Sequence, residues 1–127
     1  LLVAAQQLRD FNLPYQLGWT TEGGTQPSEA PSNANVGTGP VFADDIIVMA
    51  TDGLFDNVAL ETVAEVCDAW EHDKGGASLA KRLCEEARRR SLDDAVDSPF
   101  ALLAKENDVM WGGGMPDDVT VVCLEVS

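Results

Sequence analysis

Residues 46–53 read Ile46-Ile47-Val48-Met49-Ala50-Thr51-Asp52-Gly53. Five apolar residues in a row, β-branched at the first three positions, form a run of strand length bounded by a turn dipeptide. The pattern predicts a buried strand ending at Ala50, with Asp52-Gly53 turning the chain sharply beyond it. Upstream, Val41-Phe42 leads into an expected turn at Asp44-Asp45. Downstream, Leu60, Val63, Ala64, Cys67 and Trp70 recur at helical spacing behind Asn57, a candidate N-cap.

Gly75-Gly76 separates this helix from a second, expected over about Ala77 to Leu92, with Leu79, Ala80, Leu83, Cys84 and Ala87 on one face and Lys81, Arg82, Glu85, Arg88 and Arg89 on the other. The run Arg88-Arg89-Arg90 reads as a solvated face that complements the helix dipole rather than as a docking patch. Ser98-Pro99-Phe100 breaks the chain, Ala101 to Lys105 forms a helical turn, Gly112–Gly114 a flexible turn, and Val119 to Val126 a final strand. The order strand, helix, helix, strand gives an α+β fold, with two strands in one sheet and two helices packed on a single face.

The first 17 residues mix an apolar opening with Phe11, Pro14 and Tyr15, and Gly18 to Pro40 reads as a long, mobile loop. The opening Leu1-Leu2-Val3-Ala4-Ala5 reads as a strand cut from a longer protein. At 127 residues the chain fits one domain, and 45% hydrophobic residues suffice for a core despite a formal charge of -14. Between Arg9 and Lys74 there is no Lys or Arg, against twelve Asp and Glu. That imbalance excludes a nucleic-acid partner and suits a metal cation or a basic protein. Cys67, Cys84 and Cys123 show no C-x-x-C pairing, so neither a disulfide framework nor a zinc site is indicated and a reducing interior is expected. No apolar run approaches the roughly 18 residues of a membrane span.

Two acidic points stand at strand ends. Asp52 follows the first strand, and Asp117-Asp118 precedes the last. If those strands are antiparallel neighbours, the end of one lies beside the start of the other and Asp52 and Asp117 converge. Two such carboxylates repel unless a hard cation joins them, and oxygen ligands select Mg²⁺ or Mn²⁺ over zinc. By itself Asp52-Gly53 is more often a plain turn. The competing schemes are weaker. His72 lies between Glu71 and Asp73 with no Gly-x-Ser-x-Gly elbow, no P-loop or G-x-G-x-x-G occurs, and Ala50 stands where a phospho-aspartate nucleophile would be needed. The cysteines fall on apolar faces and read as core packing.

The strings ATDGLFDN (Ala50 to Asn57) and GGGMPDDVTVV (Gly112 to Val122) resemble two signature motifs of the metal-dependent type 2C protein Ser/Thr phosphatases, in the family's order and spacing. PYQLG (Pro14 to Gly18) and SPFA (Ser98 to Ala101) resemble its branch of mitochondrial matrix phosphatases with plastid and fungal members. The resemblance implies a four-layer α-β-β-α sandwich of antiparallel sheets around a two-metal Mg²⁺ or Mn²⁺ site. It implies Asp52 and Asp117 as metal ligands, with no catalytic residue beyond the ligands. Gly53 and Asp118 would be supporting residues, Gly53 sparing the metal's waters a Cβ. It further implies phosphoserine and phosphothreonine proteins as substrates and an intracellular site, mitochondrion or plastid. The family's earlier motifs, which supply a metal-bridging Asp-Gly pair and a phosphate-gripping Arg, have no match before Asp52. Residues 1–127 therefore read as the C-terminal part of a phosphatase domain, inactive alone. The alternative is a catalytically silent fragment or pseudophosphatase that acts by binding a partner.

Overall fold

The computed structural model describes residues 38–127. The opening strand at 1–5, the 14–18 motif and the loop over 18–40, except residues 38–40, lie outside the described residues. The described residues from Val41 to Ser127 belong to one compact unit. Its elements run β1 (Ile46–Ala50), α1 (Asp52–Phe55), α2 (Leu60–His72), α3 (Leu79–Ser91), α4 (Pro99–Glu106) and β2 (Val121–Glu125), an α+β arrangement.

β1 and β2 pair antiparallel, from Ile46 opposite Glu125 to Ala50 opposite Val121. The expected neighbour relationship is thus observed. The turn before β1 is built around Asp45, whose carboxylate accepts from the Phe42 amide at 2.8 Å while its own amide donates back to the Phe42 carbonyl at 3.2 Å. Side chains alternate across the sheet. Ile46, Val48, Ala50, Val121 and Cys123 pack on the helical core. On the opposite face, Met49, Val122 and Leu124 stay about half exposed, at 50%, 47% and 47%. The expectation of a fully buried strand is therefore corrected. β1 is apolar on both faces, but the helices described cover one of them.

The core is a helix-on-sheet contact. Val63, Cys67 and Trp70 of α2 recur one or two turns apart and are buried, as are Leu79, Leu83 and Ala87 of α3, and these two stripes close over Leu54 and Val58. Leu54 and Leu83 are fully enclosed, and each such side chain contributes about 1.5–3 kcal/mol through burial. α3 starts at Ser78, whose hydroxyl accepts from the Lys81 amide at 3.4 Å. Arg82 joins α3 to the end of α2. Its guanidinium donates to the Asp73 carbonyl at 3.0 Å, one of the acceptors a helix end leaves over, and to the Asp73 carboxylate at 2.9 Å. Lys74 bonds Glu125 of β2 at 2.7 Å and lies 4.9 Å from the Trp70 ring centre. Within the basic run, Arg89 and Arg90 both donate to Glu86 on their own helix, and these bonds hold the Glu86 carboxyl below its ordinary range.

Three local expectations are revised. Asn57 is not an N-cap, because α2 begins after Ala59 without a side-chain cap. Ser98-Pro99 opens a helix rather than only breaking one. The Ser98 hydroxyl accepts from the Ala101 amide at 3.1 Å, and Pro99 takes the first-turn place where its missing N–H costs nothing. α4 closes on Asp108 at φ 58°, with Val109 N–H donating to Ala104 at 2.8 Å and Asp108 N–H to Lys105 at 3.2 Å, the double closure of a left-handed C-cap. Gly112–Gly114 is not a free turn. Gly113 and Gly114 are buried, and a Cβ on Gly114 would collide with the carbonyls of Arg90 and Ser91.

Candidate functional site

β1 runs out at Ala50, and Thr51 prolongs its pairing with the other strand by one step. Its amide donates to the Thr120 carbonyl at 3.0 Å, while its hydroxyl accepts from the Thr120 amide at 3.1 Å and donates to the Asp118 carbonyl at 3.3 Å. Thr51 therefore stands at the N-cap position of α1 without capping it, since the hydroxyl is engaged across the sheet. Asp52 opens α1, where a carboxylate meets the positive end of the peptide dipoles.

Gly53 follows, pressed against the other strand. A Cβ there would run into the Asp118 carbonyl oxygen and lie 3.2 Å from Val119 Cγ2. The structure thus gives Gly53 a reason different from the one expected: it lets α1 touch the backbone that leads into β2. On that backbone, the Asp117 carboxylate accepts from the Asp118 amide at 2.7 Å, which fixes its direction at the mouth of the strand. Asp52 and Asp117 thus sit on two segments bonded side by side.

Asn57 is buried, with 1% of its surface exposed. Its Nδ2 donates to the Gly53 carbonyl at 2.9 Å and to the Met115 carbonyl at 2.8 Å, and its Oδ1 accepts from the Met115 amide at 2.8 Å. The SPFA segment also joins. Phe100 N–H donates to the Asp56 carbonyl at 3.0 Å, and Ser98 N–H to the Gly113 carbonyl at 3.1 Å. Asp97 accepts from Gly113 N–H at 3.1 Å and from Lys105 Nζ, and the Lys105 bond, with the Gly113 bond second, lowers its carboxyl from the usual range. Three sequence motifs, Ala50–Asn57, Ser98–Ala101 and Gly112–Val122, therefore meet through backbone and Asn57 bonds. Thr51 and Asn57 were missed as site residues. Both lie inside the ATDGLFDN string, but no one-dimensional signal tells a clamping Asn from a capping one.

Other candidate chemistry is absent from this place. His72 is exposed with Nδ1 2.7 Å from the Asp68 carbonyl oxygen of its own helix. Cys67, Cys84 and Cys123 are free thiols, and burial pushes Cys67 and Cys123 up in pKa, away from the reactive thiolate. Among the described residues, ion pairs run between other partners than Asp117 and Asp118. No group of three or more His, Cys, Asp and Glu side chains converges as a cation shell among the described residues. The donor set, carboxylates on adjoining segments, suits part of an oxygen shell for a hard cation.

Residues 39–96 match the family model for Protein phosphatase 2C. The chain is 34% identical over 129 residues to the "Protein phosphatase PTC7 homolog fig" of Drosophila simulans, an alignment that takes in 97% of this chain and 41% of that protein. It belongs to the type 2C protein phosphatase family. The "5-azacytidine resistance protein azr1" of Schizosaccharomyces pombe is 32% identical over 131 residues, covering 93% of this chain and 42% of its own length. Among solved structures, the photosystem II phosphatase PBCP superposes with a TM-score of 0.69 at 28% identity, over 79% of this chain and 43% of that one. The chain spans about two-fifths of the length of the curated relatives it matches.

Proposed function

We propose that the chain is the C-terminal part of a Mg²⁺- or Mn²⁺-dependent protein serine/threonine phosphatase domain that cleaves phosphomonoesters in phosphoproteins. The observation that carries the reading is the bonding of Thr51, the residue before Asp52, to the Asp118 carbonyl and to Thr120 at the end of the β1–β2 pair. In this reading Asp52 and Asp117 hold metal. When bound, paired cations supply Lewis acidity for attack by water and stabilisation of the leaving oxygen. This chain's own part is to present the carboxylates. Thr51 locks the strand ends in register, the Asp118 amide orients Asp117, and Gly53 allows the close approach.

The two-sided apolar character of β1 and β2 supports a second layer over Met49, Val122 and Leu124, as in a four-layer sandwich of antiparallel sheets. Coverage of 41% of the relatives supports a larger parent domain. The branch motifs support a mitochondrial or plastid setting, and the name of the photosystem II phosphatase speaks for the plastid. A catalytically silent fragment that binds a partner is the second reading. The observation behind it is the charge: between Arg9 and Lys74 there is no Lys or Arg, against twelve Asp and Glu, a surface suited to a basic partner.

Isothermal titration of Mn²⁺ into the complete domain and into its Asp52→Asn and Asp117→Asn variants, alongside hydrolysis of p-nitrophenyl phosphate, separates the two. Metal binding and turnover that both fall in the variants support the phosphatase reading. A complete domain that neither binds Mn²⁺ nor turns over supports the silent one.

A further inference from the structure

We infer that Asn57 is a positioning residue for the metal site, setting the spacing between the segments that carry Asp52 and Asp117. The inference rests on the metal-ligand reading above and concerns a residue that reading does not use. Asn57 bonds the Gly53 carbonyl, one residue beyond Asp52, and both backbone groups of Met115, two residues before Asp117. An Asn side chain offers two donors and one accepting oxygen. Here both donors and the acceptor are used, on two segments 58 positions apart in sequence.

Three features make this more than a satisfied core amide. The bonds at Met115 engage its carbonyl and its amide together, which fixes the direction of the strand entry as well as its distance. The amide itself is buried: Asn57 is 1% exposed, and no buried side-chain nitrogen or oxygen lacks a partner among the described residues. Gly53 is held on both sides, by Asn57 through its carbonyl and by the Asp118 carbonyl that leaves no room for a Cβ. The Thr51 bonds fix the register of the strands, but they act on the side of Asp52 that faces β1. Asn57 acts on the other side of the turn, so the start of α1 that carries Asp52 is pinned from both sides.

A group that bonds the backbone beside a ligand, without touching the metal, tunes affinity through ligand orientation, and loss of such partners typically weakens metal binding about 10–100-fold. The test uses the complete domain, with Asn57→Ala, Asn57→Asp and Asn57→Ser, and with Val63→Ala as a variant that loosens the core away from Met115. Mn²⁺ affinity is measured by titration and by the electron paramagnetic resonance of bound Mn²⁺, and metal-free thermal stability is measured in parallel. The expected result is about a 10–100-fold loss of Mn²⁺ affinity in folded Asn57→Ala, with a changed resonance spectrum. Asn57→Asp keeps the acceptor for Met115 N–H and loses both donors, so it is expected to show the same direction. Val63→Ala is expected to lower thermal stability while leaving affinity within about twofold, well short of that loss. Unchanged Mn²⁺ affinity in every Asn57 variant that folds, or an equal loss in Val63→Ala, overturns the positioning role while leaving the metal site in place. A wild-type domain that binds no Mn²⁺ overturns the metal site and this inference together.

Discussion

Thr51 and Thr120 exchange two hydrogen bonds in which a side chain stands in for backbone: Thr51 N–H donates to Thr120 O at 3.0 Å, and Thr51 Oγ1 accepts from Thr120 N–H at 3.1 Å. The ladder thus reaches one step past Ala50, to the residue before Asp52. Replacing Thr51 by Val keeps the shape and deletes the hydroxyl's two contacts. Each hydrogen bond contributes about 1 kcal/mol net, so urea denaturation of Thr51→Val is expected to show a loss of about 1–2 kcal/mol, largely restored in Thr51→Ser. A Thr51→Val variant as stable as wild type would count against the cross-strand role.

Gly53→Ala separates two opposed effects. Helix propensity alone favours Ala over Gly by about 1 kcal/mol. The Asp118 carbonyl forbids the added carbon, and overpacking of this kind costs about 1–3 kcal/mol. The expected outcome is net destabilisation in a denaturation curve, accompanied by weaker Mn²⁺ binding as α1 is pushed off the β2 segment. Gly53→Ala with a raised melting temperature would show that the close approach is relaxed at no cost.

Asp52→Asn and Asp117→Asn in the complete domain are expected to fold and to lose most Mn²⁺-dependent hydrolysis of p-nitrophenyl phosphate. Asn keeps the size and an accepting oxygen, so the Asp118 N–H bond at residue 117 survives while the charge that offsets a cation is gone. The 127-residue chain alone is expected to turn over negligibly, because two carboxylates do not fix two cations about 3.5–4 Å apart. Robust metal-dependent turnover by the short chain would refute the half-domain reading. An Asp52→Asn enzyme of unchanged rate would refute the ligand role.

Asp97 gives a pH prediction of defined sign. Lys105, with Gly113 N–H second, holds its carboxyl below its ordinary value, so the contribution of the bonds is present above the unfolded value of about 3.9 and fades as pH falls through the lower folded one. Comparing wild type with Asp97→Asn by chemical denaturation, the stability difference is expected to be constant from neutral pH to about 5 and to shrink below about 4. A difference that grows on acidification would contradict the assignment.

The sequence by itself determined the local elements and much of the order. Ile46–Ala50 is β-branched and bounded by turn residues, and the buried stripes of α2 and α3 recur at a helical period, so both were legible one residue at a time. The pairing of the two strands was open to prediction as well, because antiparallel neighbours would bring the acidic turns at their facing ends to one cation. Tertiary structure alone decided what Asn57 does. An Asn before an apolar helix looks like a cap, and only the arrival of Met115 from 58 positions away turns its amide inward. It also decided why residue 53 is Gly, since the obstruction is a carbonyl from the other strand, and how deeply β1 is buried. Periodicity reports that both faces of a strand are apolar. Burial depends on which layers arrive to cover each face, and that is a long-range fact no local pattern contains.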